Sequence, residues 1–119
     1  MTKKLSYIIV AFRLKTLPAV LGPLSIAIAI SSIDHFNFLK ILLIISIGIS
    51  LQILVNLIND LEDFLKGVDN NQRLGPTRAV QSGGLSIKEM KLLISIVFMI
   101  SLILGFIAFL SSGIFVIFF

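Results

Sequence analysis

The sequence predicts an all-α, multi-pass transmembrane helical bundle, and three observations carry that expectation. Hydrophobic residues make up 57% of the 119-residue chain and charged residues only 13%, where a soluble domain carries roughly 25% charged residues. The mean hydropathy is +1.10. The apolar residues are gathered into runs near the ~20 residues that a bilayer needs. The ten Lys and Arg residues flank those runs, which speaks for membrane topology and against nucleic-acid binding. With no cysteine in the chain, disulfides and thiolate metal sites are excluded. The length suits a single domain over residues 1–119, with no second soluble domain.

Residues 1–15, MTKKLSYIIVAFRLK, hold four cations around an apolar patch at 5–12. The pattern predicts a short interfacial helix. A signal peptide is the alternative, but the patch is short, Arg13 and Lys15 interrupt it, and no A-x-A-like site follows. The first span is expected over residues 16–33, an uncharged run. Pro18 fits its first turn, while Pro23 should kink it. The polar turn around Asp34 and His35 ends it. The second span is expected at 39–59, followed by a cytoplasmic loop at 60–91. Ser86 and Glu89, three apart, form a capping-box pattern at the start of the next helix. From Leu92 to the end there is no charge, and Ser111, Ser112 and Gly113 interrupt that run. A third span is therefore expected at 92–110, then the start of a further one at 114–119.

Charge sets the orientation. Nine of the ten basic residues lie in the N-terminal flank or the 60–91 segment, and only Lys40 lies in the intervening turn. The positive-inside rule places the N-terminus and the 60–91 loop on the cytoplasmic side of the cell membrane.

The second span ends in NLINDLEDFLKGVD. At 100° per residue, Gly48, Gln52, Asn56, Asn59, Asp60 and Asp63 fall within one arc roughly 120° wide. That face changes from small to amide to carboxylate, and such a face should point into a protein interior or cavity and not into lipid. Its oxygen ligands suit Mg²⁺, which binds through a few carboxylates and leaves positions for water or phosphate. Asn56, Asp60 and Asp63 are the candidate ligands, with Asp69 able to fold back from beyond Gly67. Lys66, Arg73 and Arg78 supply cations for phosphate oxygens, arginine by bidentate contact. Gly75, Pro76, Gly83 and Gly84 would let the loop turn tightly. The alternative is a solvated loop after a capped helix end. That alternative leaves the deeper Gln52 and Asn56 unexplained, and from spacing alone both readings stand.

The string NLINDLEDFLKGVDNNQRLGPTRAVQSGGLS resembles the first aspartate-rich motif and following loop of the UbiA-type membrane prenyltransferases, in particular the branch acting on 1,4-dihydroxy-2-naphthoate. That pattern reads N-x-x-N-D-x-x-D-F-x-x-G-x-D, then R-x-G-P-x-R-A-x-x-S-G. It falls here on Asn56, Asn59, Asp60, Asp63, Phe64, Gly67 and Asp69, then on Arg73, Gly75, Pro76, Arg78, Ala79, Ser82 and Gly83. Upstream, FRLKTLPAVLGP is similar to the family's R-x-x-T-L-P opening. The resemblance covers roughly residues 10–95. It implies Mg²⁺-dependent transfer of a prenyl group from an allylic polyprenyl diphosphate to an aromatic acceptor, 1,4-dihydroxy-2-naphthoate, in menaquinone biosynthesis. In that setting Asp60 and Asp63 are catalytic; Asn56, Asp60, Asp63 and Asp69 are metal ligands; and Asn59, Lys66, Arg73 and Arg78 bind substrate or diphosphate.

The family also uses a second aspartate-rich motif in a later loop. After Asp69 the only acid here is Glu89. The chain is therefore expected to be a truncated portion of a larger bundle, inactive alone or working with a second polypeptide that carries the missing motif. A small metal- or phosphate-binding membrane module is the remaining alternative. His35, Tyr7, Met90 and Met99 are expected to be a turn residue, an interface residue and packing residues.

Overall fold

The computed structural model describes residues 3–33, 36–67 and 78–112. It is all-helical, with no strand among the described residues. Helix α1 (Lys3–Phe12) leads through a 3-10 helix (Leu14–Val20) into α2 (Leu21–Ser31); α3 (Phe38–Leu65) and α4 (Ile87–Ser112) follow. Three helical stretches are long and apolar enough to cross a membrane: Lys3–Ile30, Phe38–Leu65 and Ile87–Ser111. The expected further span at 114–119 lies outside the described residues.

The first stretch is broken at Arg13, which adopts a left-handed conformation with φ 50° and ψ 56°. A side chain with a Cβ pays of order 1–2 kcal/mol for that region, so something nearby must hold it. Just before Pro23 the helix type changes from 3-10 to α. α2 begins at Leu21, so Pro23 stands in its first turn, where a missing N–H costs no hydrogen bond.

The loop expected over 60–91 is shorter at both ends. α3 runs on to Leu65 and α4 begins at Ile87. No breaker precedes Gly67, and Glu62 pairs with Lys66 one turn on at 2.7 Å, a spacing that supports a helix. Gly67, with φ 68°, then ends the helix in the left-handed position where glycine is favoured. At the other end the capping box is present. The Ser86 N–H donates to Glu89 Oε2 at 2.8 Å, and the Glu89 N–H donates to Ser86 Oγ at 3.2 Å. Asn37 caps α3 in the same manner, accepting from the Lys40 N–H at 3.1 Å.

The most extensive packing joins α3 to α4. Leu54, Leu57 and Leu61 of α3 bury against Met90 and Val97 of α4, and Ala79, Val80 and Leu85 of the connecting segment close the top of that core with Ala11 of α1. Midway along the pair, the buried Ser50 and Ser101 hydroxyls meet at 3.1 Å. At Gly48 a Cβ would lie 2.6 Å from Leu24, so the bare backbone lets α2 close on α3. Outward-facing Leu92, Phe98, Phe106 and Leu110 remain exposed, an apolar surface suited to lipid or further helices. The core thus concentrates at one end of the α3–α4 pair, where the acid-rich face emerges.

Candidate functional site at the acid-rich end of α3

Asp60 and Asp63 stand one helical turn apart on α3, and the connecting segment folds back over them. Arg78 reaches between the two. Its Nη2 donates to Asp63 Oδ2 at 2.6 Å, and its Nη1 lies 3.7 Å from Asp60 Oδ1. The Ala79 N–H donates to Asp60 Oδ2 at 3.3 Å. Asp60 is 1% exposed and Arg78 6%, whereas the Asp63 side chain is 34% exposed. Carboxylates taken out of water need a cation or several donors, and Arg78 with the Ala79 N–H supplies both. The pair is therefore asymmetric: Asp60 is sealed inside, and Asp63 faces outward with Arg78 at its side.

One turn deeper, Asn56 is 3% exposed. Its Nδ2 donates to the Phe12 carbonyl at 2.9 Å and to Thr16 Oγ1 at 2.8 Å. A carbonyl can only accept, so the amide nitrogen faces α1 and the oxygen turns the other way, receiving Gln52 Nε2 at 3.4 Å. Thr16 in turn donates from both its N–H, at 2.8 Å, and its hydroxyl, at 2.9 Å, to the Arg13 carbonyl.

α1 is also fixed at its other end. Lys4 pairs with Glu89 at the start of α4. The Tyr7 ring lies where a Cβ on Gly84 would stand. Leu85 N–H donates to the Ala79 carbonyl at 3.0 Å, which folds the 79–85 turn beside the acid pair. The helix expected to lie at the interface is therefore docked against the segment that carries Arg78.

The structure brings together Asn56, Asp60, Asp63 and Arg78 from the residues singled out in the sequence. Asn59 is exposed. Lys66 is turned to Glu62, whose hydrogen bond, and then charge, hold the lysine amine above its ordinary range. Asp69 and Arg73 lie outside the described residues. Sequence reasoning missed the Ala79 N–H, Thr16 and Tyr7. A backbone donor leaves no trace in residue type. Thr16 did carry a signal, as a hydroxyl inside the R-x-x-T-L-P stretch.

Two carboxylates one turn apart fit a hard divalent cation such as Mg²⁺, which keeps its other positions for water and phosphate. Among the described residues no group of three or more His, Cys, Asp and Glu side chains could hold a metal. Arg78 now sits against the pair, so a metal ion there has to share the acids with this guanidinium or move it aside.

Comparison with known proteins finds two similar sequences. The chain is 39% identical over 82 residues to the 1,4-dihydroxy-2-naphthoate octaprenyltransferase of Haemophilus influenzae, an alignment covering 66% of this chain and 27% of that protein. The same identity over 82 residues relates it to the 1,4-dihydroxy-2-naphthoate octaprenyltransferase of Escherichia coli, covering 68% of this chain and 27% of that protein. Over those 82 residues the chain is similar to both octaprenyltransferases. It spans about a quarter of the length of these curated relatives. No protein-family model and no solved structure matches it.

Proposed function

We propose that this chain supplies the first acid-rich half-site of a UbiA-type membrane prenyltransferase, which moves a polyprenyl group from an allylic diphosphate to 1,4-dihydroxy-2-naphthoate. The observation that carries the reading is the buried Asp60 and Arg78 beside the part-exposed Asp63, in a chain 39% identical over 82 residues to two enzymes named for that reaction. Greasy helices around a charged mouth suit a substrate with a diphosphate head and a hydrocarbon tail.

In this reading Asp60 and Asp63 would hold Mg²⁺. When bound, Mg²⁺ supplies neutralisation of the diphosphate as it departs with the electron pair of the allylic C–O bond. Arg78, with a planar guanidinium suited to paired oxygens, leaves Asp63 to bind diphosphate or the acceptor's carboxylate. Asp60, held by the Ala79 N–H, keeps its carboxylate oriented while Arg78 moves. The electron-rich ring then attacks the allylic carbon and regains its aromaticity by losing the substituent on the attacked ring carbon, as a proton or, at the carboxyl-bearing position, as CO2. A cleft of about 470 Å³ between the 3-10 helix, α2 and α3, lined by Leu17, Leu21, Leu24, Ile28, Ile45 and Ile49 among others, offers apolar space on the membrane side of Asn56 for part of the tail. The mouth would face the cytoplasm, as the distribution of Lys and Arg favours. The greater part of the relatives' length has no counterpart in the alignment, and the second metal site of the reaction would come from residues beyond this segment, in the same or another polypeptide.

Equilibrium binding of octaprenyl diphosphate to the chain in lipid nanodiscs tests this reading. Binding is expected to need Mg²⁺ and to be lost with Asp63→Asn, a half-exposed position where the fold should survive. Binding that is indifferent to EDTA and to the variant would overturn the assignment.

A further inference from the structure

Asn56 stands on the acid-rich face, yet the hydrogen bonds it donates run to the end of α1 and the turn after it. The amide nitrogen is spent on the Phe12 carbonyl and the Thr16 hydroxyl, at 2.9 and 2.8 Å. Those two acceptors flank Arg13, a non-glycine residue held left-handed at φ 50°. The Arg13 carbonyl is fixed as well, by the Thr16 N–H and hydroxyl. A conformation that a side chain rarely adopts persists only where its surroundings over-determine it. Here the three groups on and beside Arg13 that set the turn, the Phe12 carbonyl, the Arg13 carbonyl and the Thr16 side chain, are all tied, and two of them are tied directly to Asn56.

The turn at Arg13 sets the direction of α1. α1 is the element whose Tyr7 packs on Gly84 and whose Lys4 pairs with Glu89. Gly84 belongs to the same short turn as Ala79 and Arg78, which hold Asp60 and Asp63. The contacts thus close a ring: from Asn56 through Thr16 and Phe12 to α1, from Tyr7 to the 78–85 segment, and from Arg78 and Ala79 back to α3 one and two turns above Asn56.

We propose that Asn56 and Thr16 are positioning residues. The Asn56 carboxamide acts through its donor side to fix the left-handed turn at Arg13, and so seats α1 on the segment that carries Arg78. This deepens the half-site reading above by assigning a role to a residue that the acid-rich pattern alone would count as a ligand.

Asn56→Asp separates the two roles, because it keeps an oxygen ligand and removes the N–H donor. Thr16→Val removes the hydroxyl while keeping the shape, and Thr16→Ser restores it. The chain contains no cysteine, so spin labels on Leu5→Cys in α1 and Leu65→Cys at the end of α3, both exposed, report a single distance in nanodiscs. The unaltered chain is expected to give one narrow distance. Asn56→Asp and Thr16→Val should each broaden it and move it outward, with Thr16→Ser narrow again. A narrow, unmoved distance in Asn56→Asp or in Thr16→Val would overturn the proposal. So would a Thr16→Ser distance as broad as that of Thr16→Val. Neither metal, diphosphate nor turnover enters this readout, so failure of diphosphate binding would sink the half-site reading and leave the positioning role standing.

Discussion

Arg78 and Asp63 are joined at 2.6 Å across a segment of 15 residues, and this contact ties the end of one membrane-length helix to the start of the turn that leads into the next. The same guanidinium lies 3.7 Å from the sealed Asp60. A single cation therefore serves two acids in different surroundings, one enclosed and one at the mouth.

Removing that cation should be costly. Breaking a buried ion pair from one side leaves an uncompensated charge, typically at a cost of ~3–5 kcal/mol. Arg78→Ala is expected to lose stability on that scale in thermal or denaturant unfolding, since both acids lose their partner. Arg78→Lys, which keeps the charge but not the fork, should recover only part of it. An unchanged unfolding midpoint for Arg78→Ala would show that the pair contributes nothing to the fold.

Gly84 has to remain without a side chain as long as Tyr7 packs on it. Gly84→Ala forces a Cβ into the Tyr7 ring, and overpacking of this kind typically costs about 1–3 kcal/mol. Combining it with Tyr7→Ala should restore part of the loss, because the obstructing ring is gone. A double-mutant cycle on thermal unfolding reads this directly. Strict additivity of the two changes would contradict the seating of α1 on this turn.

Ser86 caps α4, accepting from the Glu89 N–H while its own N–H donates to Glu89. Ser86→Ala should cost about 1 kcal/mol and speed amide hydrogen exchange over the first turn of α4, with the far end unaffected. Exchange rates equal to those of the unaltered chain would mean that the cap does not hold the turn.

Much of this was legible in the sequence because it depends on periodicity. Apolar runs of membrane length marked the helices, and the i+4 succession of Gln52, Asn56 and Asp60 put amide and carboxylate on one face. The capping box at Ser86 and Glu89 could be read directly from its spacing. The partners of those polar groups could not be read. That Arg78 pairs with Asp63 depends on how the 78–85 turn folds, and that Asp60 takes the Ala79 N–H depends on backbone geometry that any residue type could present. Asn56 illustrates the limit most clearly. Its position on the acid-rich face suggested an oxygen ligand, whereas the direction of its amide is decided by a carbonyl on a helix 44 residues earlier. The left-handed turn at Arg13 was equally hidden, since arginine gives no conformational hint. Asp69 and Arg73, which the spacing also singled out, lie outside the described residues.

The proposed role of the acid pair in prenyl transfer can be tested in a chimera. The most direct measurement replaces the matching segment of the Escherichia coli relative with the corresponding residues of this chain, and assays membranes carrying the chimera with octaprenyl diphosphate, 1,4-dihydroxy-2-naphthoate and Mg²⁺. The chimera is expected to form the octaprenylated product, and Asp60→Asn or Asp63→Asn within it should abolish turnover while the protein still accumulates in the membrane. Product formed at the unaltered rate by both variants would contradict the account, because the chemistry would then run without the residues on which it rests.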